Sequence, residues 1–267
     1  MPRRCGSVLF TLAILCWSSW LKEIIKDIVP FTLRRRLRSW QQGMSVRPRR
    51  GTVRFGSLNG VKPISSTFGF DRGSCIDRYY IEKFLQQHSR DIRGHVLEVA
   101  DNEYTRRFGS GVVQSTVLHA KAGNPNATLV GDLSTGENIP TESFDCIILT
   151  QTMQFIYETR SAVANLYRAL KFGGVVLATF PGISQISRYD RERWGDFWRF
   201  TTESAQRLFM EQFRPEDVTV CAHGNVFAAV SFLHGLSVED VSKSKLDYAD
   251  PDYELVITVR AIKGSQK

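Results

Sequence analysis

The sequence predicts an α/β protein of Rossmann-like architecture, with a doubly wound, seven-stranded, mostly parallel sheet and a helical N-terminal extension. Three apolar runs, at residues 95–102, 144–150 and 170–182, each end in a polar or glycine-containing turn. Continuous apolar runs of this length are typical of parallel strands that are buried on both faces. Such sheets bind ligands at the carboxyl ends of their strands, so we expect the functional residues in those turns.

The remaining elements follow from local periodicity and turn residues. Ile76, Tyr80, Phe84 and Leu85 have helical spacing and predict a helix over residues 76–92, before the first strand. A Gly173-Gly174 pair predicts the end of a second helix. The predicted strands are 95–99, 112–116, 127–130, 146–149, 175–179, 218–221 and 255–261, and the other predicted helices are 161–172 and 201–213.

The positive charge of the chain is concentrated in its first 50 residues. The 267 residues carry a formal net charge of +8, yet residues 1–50 hold 11 basic and 2 acidic side chains. The other 217 residues hold 24 basic and 25 acidic side chains. Enzymes that act on nucleic acids need clustered Lys and Arg on the catalytic domain, so we expect no nucleic-acid partner.

The five cysteines are Cys5, Cys16, Cys75, Cys146 and Cys221. Their scattered spacing matches neither a zinc site nor a disulfide framework. We therefore expect no bound metal and a reduced, cytoplasmic protein.

Residues 1–50 form a basic amphipathic arm, residues 51–75 a lead-in segment and residues 76–267 the main domain. An apolar run at residues 8–21 is shorter than the about 20 residues that a membrane-spanning helix needs. Residues 21–29 then show helical apolar spacing, and four arginines follow within residues 34–38. Three alternatives stay open: packing on the domain or on a second subunit, peripheral contact of residues 1–40 with the inner face of the membrane, or a secretory signal.

The order of these segments, together with GDL at residues 131–133, resembles class I S-adenosylmethionine-dependent methyltransferases. The resemblance covers roughly residues 53–263 and is greatest to a methyltransferase type 11-like group that accompanies glycosyltransferases in bacterial polysaccharide clusters. It implies that the cofactor is S-adenosyl-L-methionine and that the last strand is antiparallel. The acceptor that it implies is a small molecule or a glycan.

The first strand of that family ends in an acid followed by a turn with three glycines, where this chain has Glu98, Ala100, Asn102 and Tyr104. Glycine permits positive φ and close approach of the ligand, and Asn is its best substitute. Tyr104 is the largest departure, because its ring stands where a helix packs closely. By resemblance, the predicted cofactor-binding residues are Glu98, Ala100, Asp101, Asn102, Thr116, Asp132, Leu133 and Gln151.

The segment at residues 187–201 has the densest mixture of aromatic and charged side chains in the chain. Aromatic rings with neighbouring Asp and Arg can stack on sugars and bind their hydroxyls. The predicted substrate-binding residues are Thr152, Tyr189, Trp194, Trp198 and Arg199. The alternative is a loop whose tryptophans fill a small satellite core.

His119 and His223 lie in predicted turns at the carboxyl edge of the sheet. Either could act as the general base if the methyl acceptor is a hydroxyl, although single histidines are often structural.

These features predict an S-adenosylmethionine-dependent methyltransferase that O-methylates a glycan or a surface-polysaccharide precursor. The replaced glycines leave an alternative open, a catalytically degenerate scaffold that works with polysaccharide-biosynthesis enzymes. A nicotinamide-dependent dehydrogenase is disfavoured because no GxGxxG follows the first strand. The sequence leaves the oligomeric state open.

Overall fold

The computed structural model describes residue 48 and residues 51–264. The amphipathic arm, residues 1–50, therefore lies outside the described residues except for Pro48. Residues 51–59 contain one short 3-10 turn, Gly56–Leu58, and a compact unit begins at Gly60.

The compact unit is built on one seven-stranded sheet with the order β3-β2-β1-β4-β5-β7-β6. The strands are β1 (Gly94–Val99), β2 (Val112–His119), β3 (Leu129–Val130), β4 (Phe144–Thr150), β5 (Leu170–Pro181), β6 (Val218–His223) and β7 (Val256–Ile262). Strands β1 to β5 pair in parallel, and β7 is antiparallel to both β5 and β6. The predicted fold class and the antiparallel last strand are confirmed.

Seven helices accompany the sheet in the described part of the chain. They are α1 (Ile76–Gln87), α2 (Glu103–Phe108), α3 (Thr159–Ala169), α4 (Arg188–Trp194), α5 (Thr202–Met210), α6 (Val226–Leu233) and α7 (Lys243–Leu246). None of the helices within these residues is long and apolar enough to cross a membrane.

Two hydrophobic clusters explain why the central strands read as continuous apolar runs. Alternate residues of β4 enter opposite clusters, with Ile147 and Leu149 in one and Cys146 and Ile148 in the other. The first cluster includes α3 and α5 residues, and the second includes residues of α1 and α6. Helices therefore cover both faces of the sheet, as doubly wound folds require.

Several predicted element ends are wrong: α1 ends at Gln87 rather than at residue 92, α5 ends at Met210 rather than at residue 213, and β5 begins at Leu170 rather than at residue 175. Strand β2 continues past Thr116 to His119, because Val117 and Leu118 remain paired with Glu98 and Val99 of β1. Helix α3 ends at Ala169, so the glycine pair does not stop it. Instead, Gly173 lies inside β5 with φ +78°, where the pairing with β4 shifts register.

Candidate active site

A cavity of about 680 Å³ opens at the carboxyl edge of the sheet. Its walls come from the turns that follow β1, β2, β3, β4 and β5, and from the beginning of α1. The convergence of these turns follows from the parallel strand order, as the sequence predicted. Residues 222–226, which include the predicted edge residue His223, do not line the cavity, whereas Leu255 and Val256 do.

The turn after β1 keeps a glycine-like conformation without glycine. Ala100 has φ +75°, its N–H donates to the Leu118 carbonyl at 3.0 Å, and its carbonyl accepts from Asn124 Nδ2 at 2.7 Å. Asn102 has φ −128° and precedes the first turn of α2, so Ala100 rather than Asn102 takes the left-handed conformation. Ala100 and Asp101 line the cavity, and Asn102 does not.

Glu98 lies at the end of β1 and holds the beginning of α2. Its carboxylate accepts hydrogen bonds from the backbone N–H groups of Tyr104 (3.1 Å) and Thr105 (2.8 Å), and from Thr105 Oγ1 (2.7 Å). Burial raises the pKa of Glu98. Glu98 also lines the cavity. This predicted cofactor-binding residue therefore stabilises the beginning of α2 at the edge of the cavity.

Tyr104 forms a wall of the cavity and leaves the space beside it open. Its ring is 8% exposed and stacks on Phe108 with centroids 6.0 Å apart. Its hydroxyl accepts a hydrogen bond from Nη1 of Arg78 in α1. The Tyr104 ring, which replaces the third glycine, is thus directed toward α1 and held there by the hydrogen bond to Arg78.

His119 stands at the end of β2, where the sequence analysis had placed Thr116. Thr116 is buried within β2, its Oγ1 lies 2.8 Å from His95 Nε2, and it does not line the cavity. The His119 ring lies in the cavity wall, edge-on to Trp194 at 5.3 Å. Its Nδ1 lies 2.7 Å from the Lys121 carbonyl oxygen.

Asp132 and Leu133 line the cavity after β3. Asp132 Oδ1 accepts from both the N–H and the hydroxyl of Ser134 at 2.7 Å. This carboxylate therefore stabilises its own turn and also faces the cavity.

The turn after β4 carries backbone strain and an unpaired polar atom. Gln151 has φ +45°, and its carbonyl accepts from Gln154 Nε2 at 2.8 Å. The Gln154 side chain is 6% exposed, and its Oε1 has no hydrogen-bond partner. Gln151, Thr152 and Gln154 all line the cavity, and strain of this kind concentrates at functional sites.

The aromatic segment after β5 is divided between the cavity and the outside. Trp194 and Arg199 line the cavity, whereas Tyr189 and Trp198 do not. Arg199 donates to both oxygens of Asp196 and to the carbonyls of Gln185 and Trp198. These hydrogen bonds hold the segment in place. The Arg199 guanidinium is therefore used for contacts within the protein and has a structural role.

His223 is not brought to the cavity. Its ring stacks on Tyr80 with centroids 5.9 Å apart, and its Nε2 lies 3.0 Å from Thr258 Oγ1. Burial lowers the pKa of His223. These contacts are those of a half-buried histidine with a structural role.

Among the cavity-lining residues that the sequence did not predict are Asp77, Arg78 and Gln154. Asp77 and Arg78 belong to the first turn of α1, which precedes the sheet in the chain. A charged pair at a helix start reads as a solvated cap, so the sequence carried no signal of their position. Gln154 lay in a predicted turn without distinguishing chemistry.

A family model described as "Methyltransferase domain" matches residues 92–178. This part of the chain is similar to a methyltransferase domain, and the similarity supports S-adenosyl-L-methionine as the cofactor. The match runs from just before β1 into β5 and so contains most of the turns around the cavity. No curated protein sequence matches the chain.

The solved structures that the chain is similar to are distant in sequence. An S-adenosylmethionine-dependent methyltransferase from Archaeoglobus fulgidus is 10% identical (TM-score 0.46), with 70% of this chain and 94% of that chain covered. Haemonchus contortus phosphoethanolamine N-methyltransferase 2, in complex with S-adenosyl-L-methionine, is 17% identical (TM-score 0.45), with coverages of 75% and 61%. The [4+2]-cyclase SpnF is 15% identical (TM-score 0.46), with coverages of 73% and 85%.

The methyltransferase cavity suits its cofactor in size and charge. Ligand pockets commonly measure about 300–1,000 Å³, and the observed volume of about 680 Å³ lies within that range. Seven carboxylates and four Lys or Arg side chains line it, which favours a ligand with cationic groups. Gln154 Oε1 offers a buried acceptor to a ligand donor. The open cavity disfavours the degenerate-scaffold alternative.

Proposed function

We propose that this protein transfers a methyl group from S-adenosyl-L-methionine to a hydroxyl of a glycan or of a surface-polysaccharide precursor. The observation that carries the proposal is an aromatic rim at the cavity. Tyr157 and Phe197 both line the cavity, and they are 61% and 48% exposed. Their ring centroids lie 5.4 Å apart, and the Trp198 ring lies 5.6 Å from that of Tyr157.

Exposed aromatic rings beside polar groups favour sugars over other acceptors. The apolar faces of sugar rings stack on aromatic side chains, while their hydroxyls need hydrogen-bonding partners close by. Asp190 and Gln185 supply such partners in the same cavity. In this proposal Thr152 and Trp194 contact the acceptor from within, Tyr189 and Trp198 extend the rim, and Arg199 holds the segment in place.

Six residues at the strand ends are proposed to hold the cofactor: Glu98, Ala100, Asp101, Asp132, Leu133 and Gln151. When bound, the cofactor supplies a methyl group on a positively charged sulfur. Alignment of the acceptor hydroxyl supplies much of the rate acceleration in such a displacement. A general base assists by taking the hydroxyl proton, and His119 is the histidine that the cavity wall provides.

The cellular location proposed with this function is cytoplasmic. Residues 1–40 combine apolar and basic side chains that suit an anionic membrane surface, so peripheral attachment at the inner face is part of the proposal. We also propose the domain organisation given above, with the methyltransferase-like domain at residues 76–267.

The test is methyl transfer by the purified full-length protein from tritium-labelled S-adenosyl-L-methionine to a panel of bacterial polysaccharides and methyl glycosides. We expect label in alkali-stable methyl ethers of sugars. Tyr157→Ala should raise the KM for the acceptor several-fold and leave cofactor affinity unchanged. Tyr248→Ala removes a ring of similar exposure that does not line the cavity, and it should change neither.

Label found only in amine, thiol or carboxyl acceptors would contradict the glycan assignment. Cofactor binding without transfer to any member of a broad acceptor panel would favour the scaffold alternative.

A further inference from the structure

The beginning of α1 places two opposite charges in the wall of the cavity. Asp77 and Arg78 are adjacent in the first turn of α1, and both line the cavity. Both side chains are only partly exposed. Burial raises the pKa of Asp77 and outweighs the opposing effect of the neighbouring Arg78 charge.

Neither charge is neutralised by an ion pair in the described part of the chain. The Asp77 carboxylate accepts a 2.8 Å hydrogen bond from the Arg78 backbone N–H. The Arg78 guanidinium donates to the Tyr104 hydroxyl and lies 5.8 Å from the centre of that ring. A guanidinium has five N–H donors, so most of its capacity remains for a ligand.

The side chain of Gln154 gives independent evidence that the same cavity binds a ligand. Its Nε2 is committed to the Gln151 carbonyl, which fixes the orientation of the amide, and its buried Oε1 has no partner. Buried acceptors are nearly always satisfied in native proteins, so the unpaired oxygen indicates that a donor-bearing molecule completes the cavity.

We propose that Asp77 and Arg78 bind the amino-acid end of S-adenosyl-L-methionine, with the Asp77 carboxylate holding the α-ammonium and the Arg78 guanidinium holding the α-carboxylate. The inference rests on the cofactor use proposed above. Two adjacent and opposite charges match a zwitterion, and they compensate for the lost glycines of the β1 turn. The Tyr104 hydroxyl accepts a hydrogen bond from Arg78 and so orients its guanidinium. Tyr104 therefore contributes to the site that takes over the role of the lost glycines.

The test is calorimetric binding of four probes to the full-length protein: S-adenosyl-L-methionine, S-adenosylhomocysteine, decarboxylated S-adenosylmethionine and 5′-methylthioadenosine, which lacks the amino-acid end. Asp77→Asn should weaken the first three by about tenfold to a hundredfold, the value of a hydrogen bond to a charged group. Arg78→Gln should weaken only the first two by a similar factor. Both variants should bind 5′-methylthioadenosine as the native protein does.

Glu82→Gln is the matched control, because Glu82 lies on α1, pairs with Arg107 and does not line the cavity. It should leave all four affinities unchanged. Arg78→Lys keeps the charge and should retain part of the affinity for the two carboxylate-bearing probes that Arg78→Gln loses.

Unchanged affinities in Asp77→Asn would overturn the inference while leaving the proposed function intact. Equal losses for all four probes would assign the pair to general packing, and a loss confined to the sulfonium-bearing probes would place Asp77 at the sulfur; both overturn the assignment. A native protein that binds none of the probes contradicts the proposed function itself.

Discussion

Ala100 shows how a single residue can preserve a turn after its glycine has been lost. Its φ of +75° is reached readily by glycine and costs another L-residue about 1–2 kcal/mol. Two hydrogen bonds, to Leu118 and from Asn124, hold the backbone in this conformation. The turn therefore keeps its backbone conformation although the glycine pattern of its sequence has been lost.

We predict that Ala100→Gly stabilises the protein by about 0.5–1 kcal/mol, because relief of the strained φ outweighs the added freedom of the unfolded chain. Thermal unfolding of the two proteins measures this difference. Ala122→Gly is the control, because Ala122 is an exposed alanine without positive φ, and it should lower stability by about 0.4–1 kcal/mol. An equal loss of stability in Ala100→Gly and Ala122→Gly would contradict the backbone strain proposed at Ala100.

Glu98 predicts a pH dependence of stability. Burial raises its pKa in the folded protein, so the folded chain keeps this proton at pH values where the unfolded chain has released it. The stability that Glu98 contributes is thus fully present below the ordinary glutamate pKa and is lost as pH rises through the raised pKa. The free energy of unfolding of the native protein minus that of Glu98→Gln should fall from acidic to neutral pH in urea titrations. A difference that grows with pH would contradict this sign.

At the scale of elements, one ion pair fixes the segment between β5 and α5. The side chain of Asp196 is 1% exposed and pairs with Arg199, which is 27% exposed. Asp196 also accepts from the Ser187 N–H at 3.1 Å, and Arg199 reaches the Gln185 carbonyl. The pair closes the ends of the segment around α4 and so positions Trp194 at the cavity.

We predict that Arg199→Ala destabilises the protein by about 3 kcal/mol, because it leaves the buried Asp196 charge without its partner. Urea unfolding gives the loss, and hydrogen exchange should localise it to residues 184–199. Arg193→Ala is the control: Arg193 lies over the exposed Tyr189 ring at 3.4 Å, a contact worth about 1 kcal/mol at most. Similar losses in the two variants would show that the ion pair does not hold the segment.

The strands were largely predictable from sequence, and their ends were not. The apolar runs of β1, β4 and β5 are long because both faces of each strand are buried, which is a local signal. The extension of β2 to His119 depends on pairing with β1, and the place of the Gly173 turn depends on a register shift against β4. Both are tertiary effects, which local periodicity does not encode.

At the scale of the whole molecule, the sequence predicted the part of the site that parallel strand order dictates. Of the residues predicted for binding or catalysis, Glu98, Asp132, Gln151 and His119 line the cavity, whereas Thr116 within β2 and His223 at the end of β6 do not. Asp77 and Arg78 were missed because their helix precedes the sheet, and only the packing of α1 onto the fold brings them to its edge. Strand order therefore determines much of the site, and the packing of α1 adds Asp77 and Arg78.

The most direct measurement is a calorimetric titration of S-adenosyl-L-methionine into the native protein and into Asp132→Ala. The account predicts one cofactor per chain in the native protein and clearly weaker binding in the variant, because the cavity beside Tyr104 is open and Asp132 lies in its wall. Absence of any binding heat in the native protein would contradict the central claim that this glycine-poor turn still forms a cofactor site.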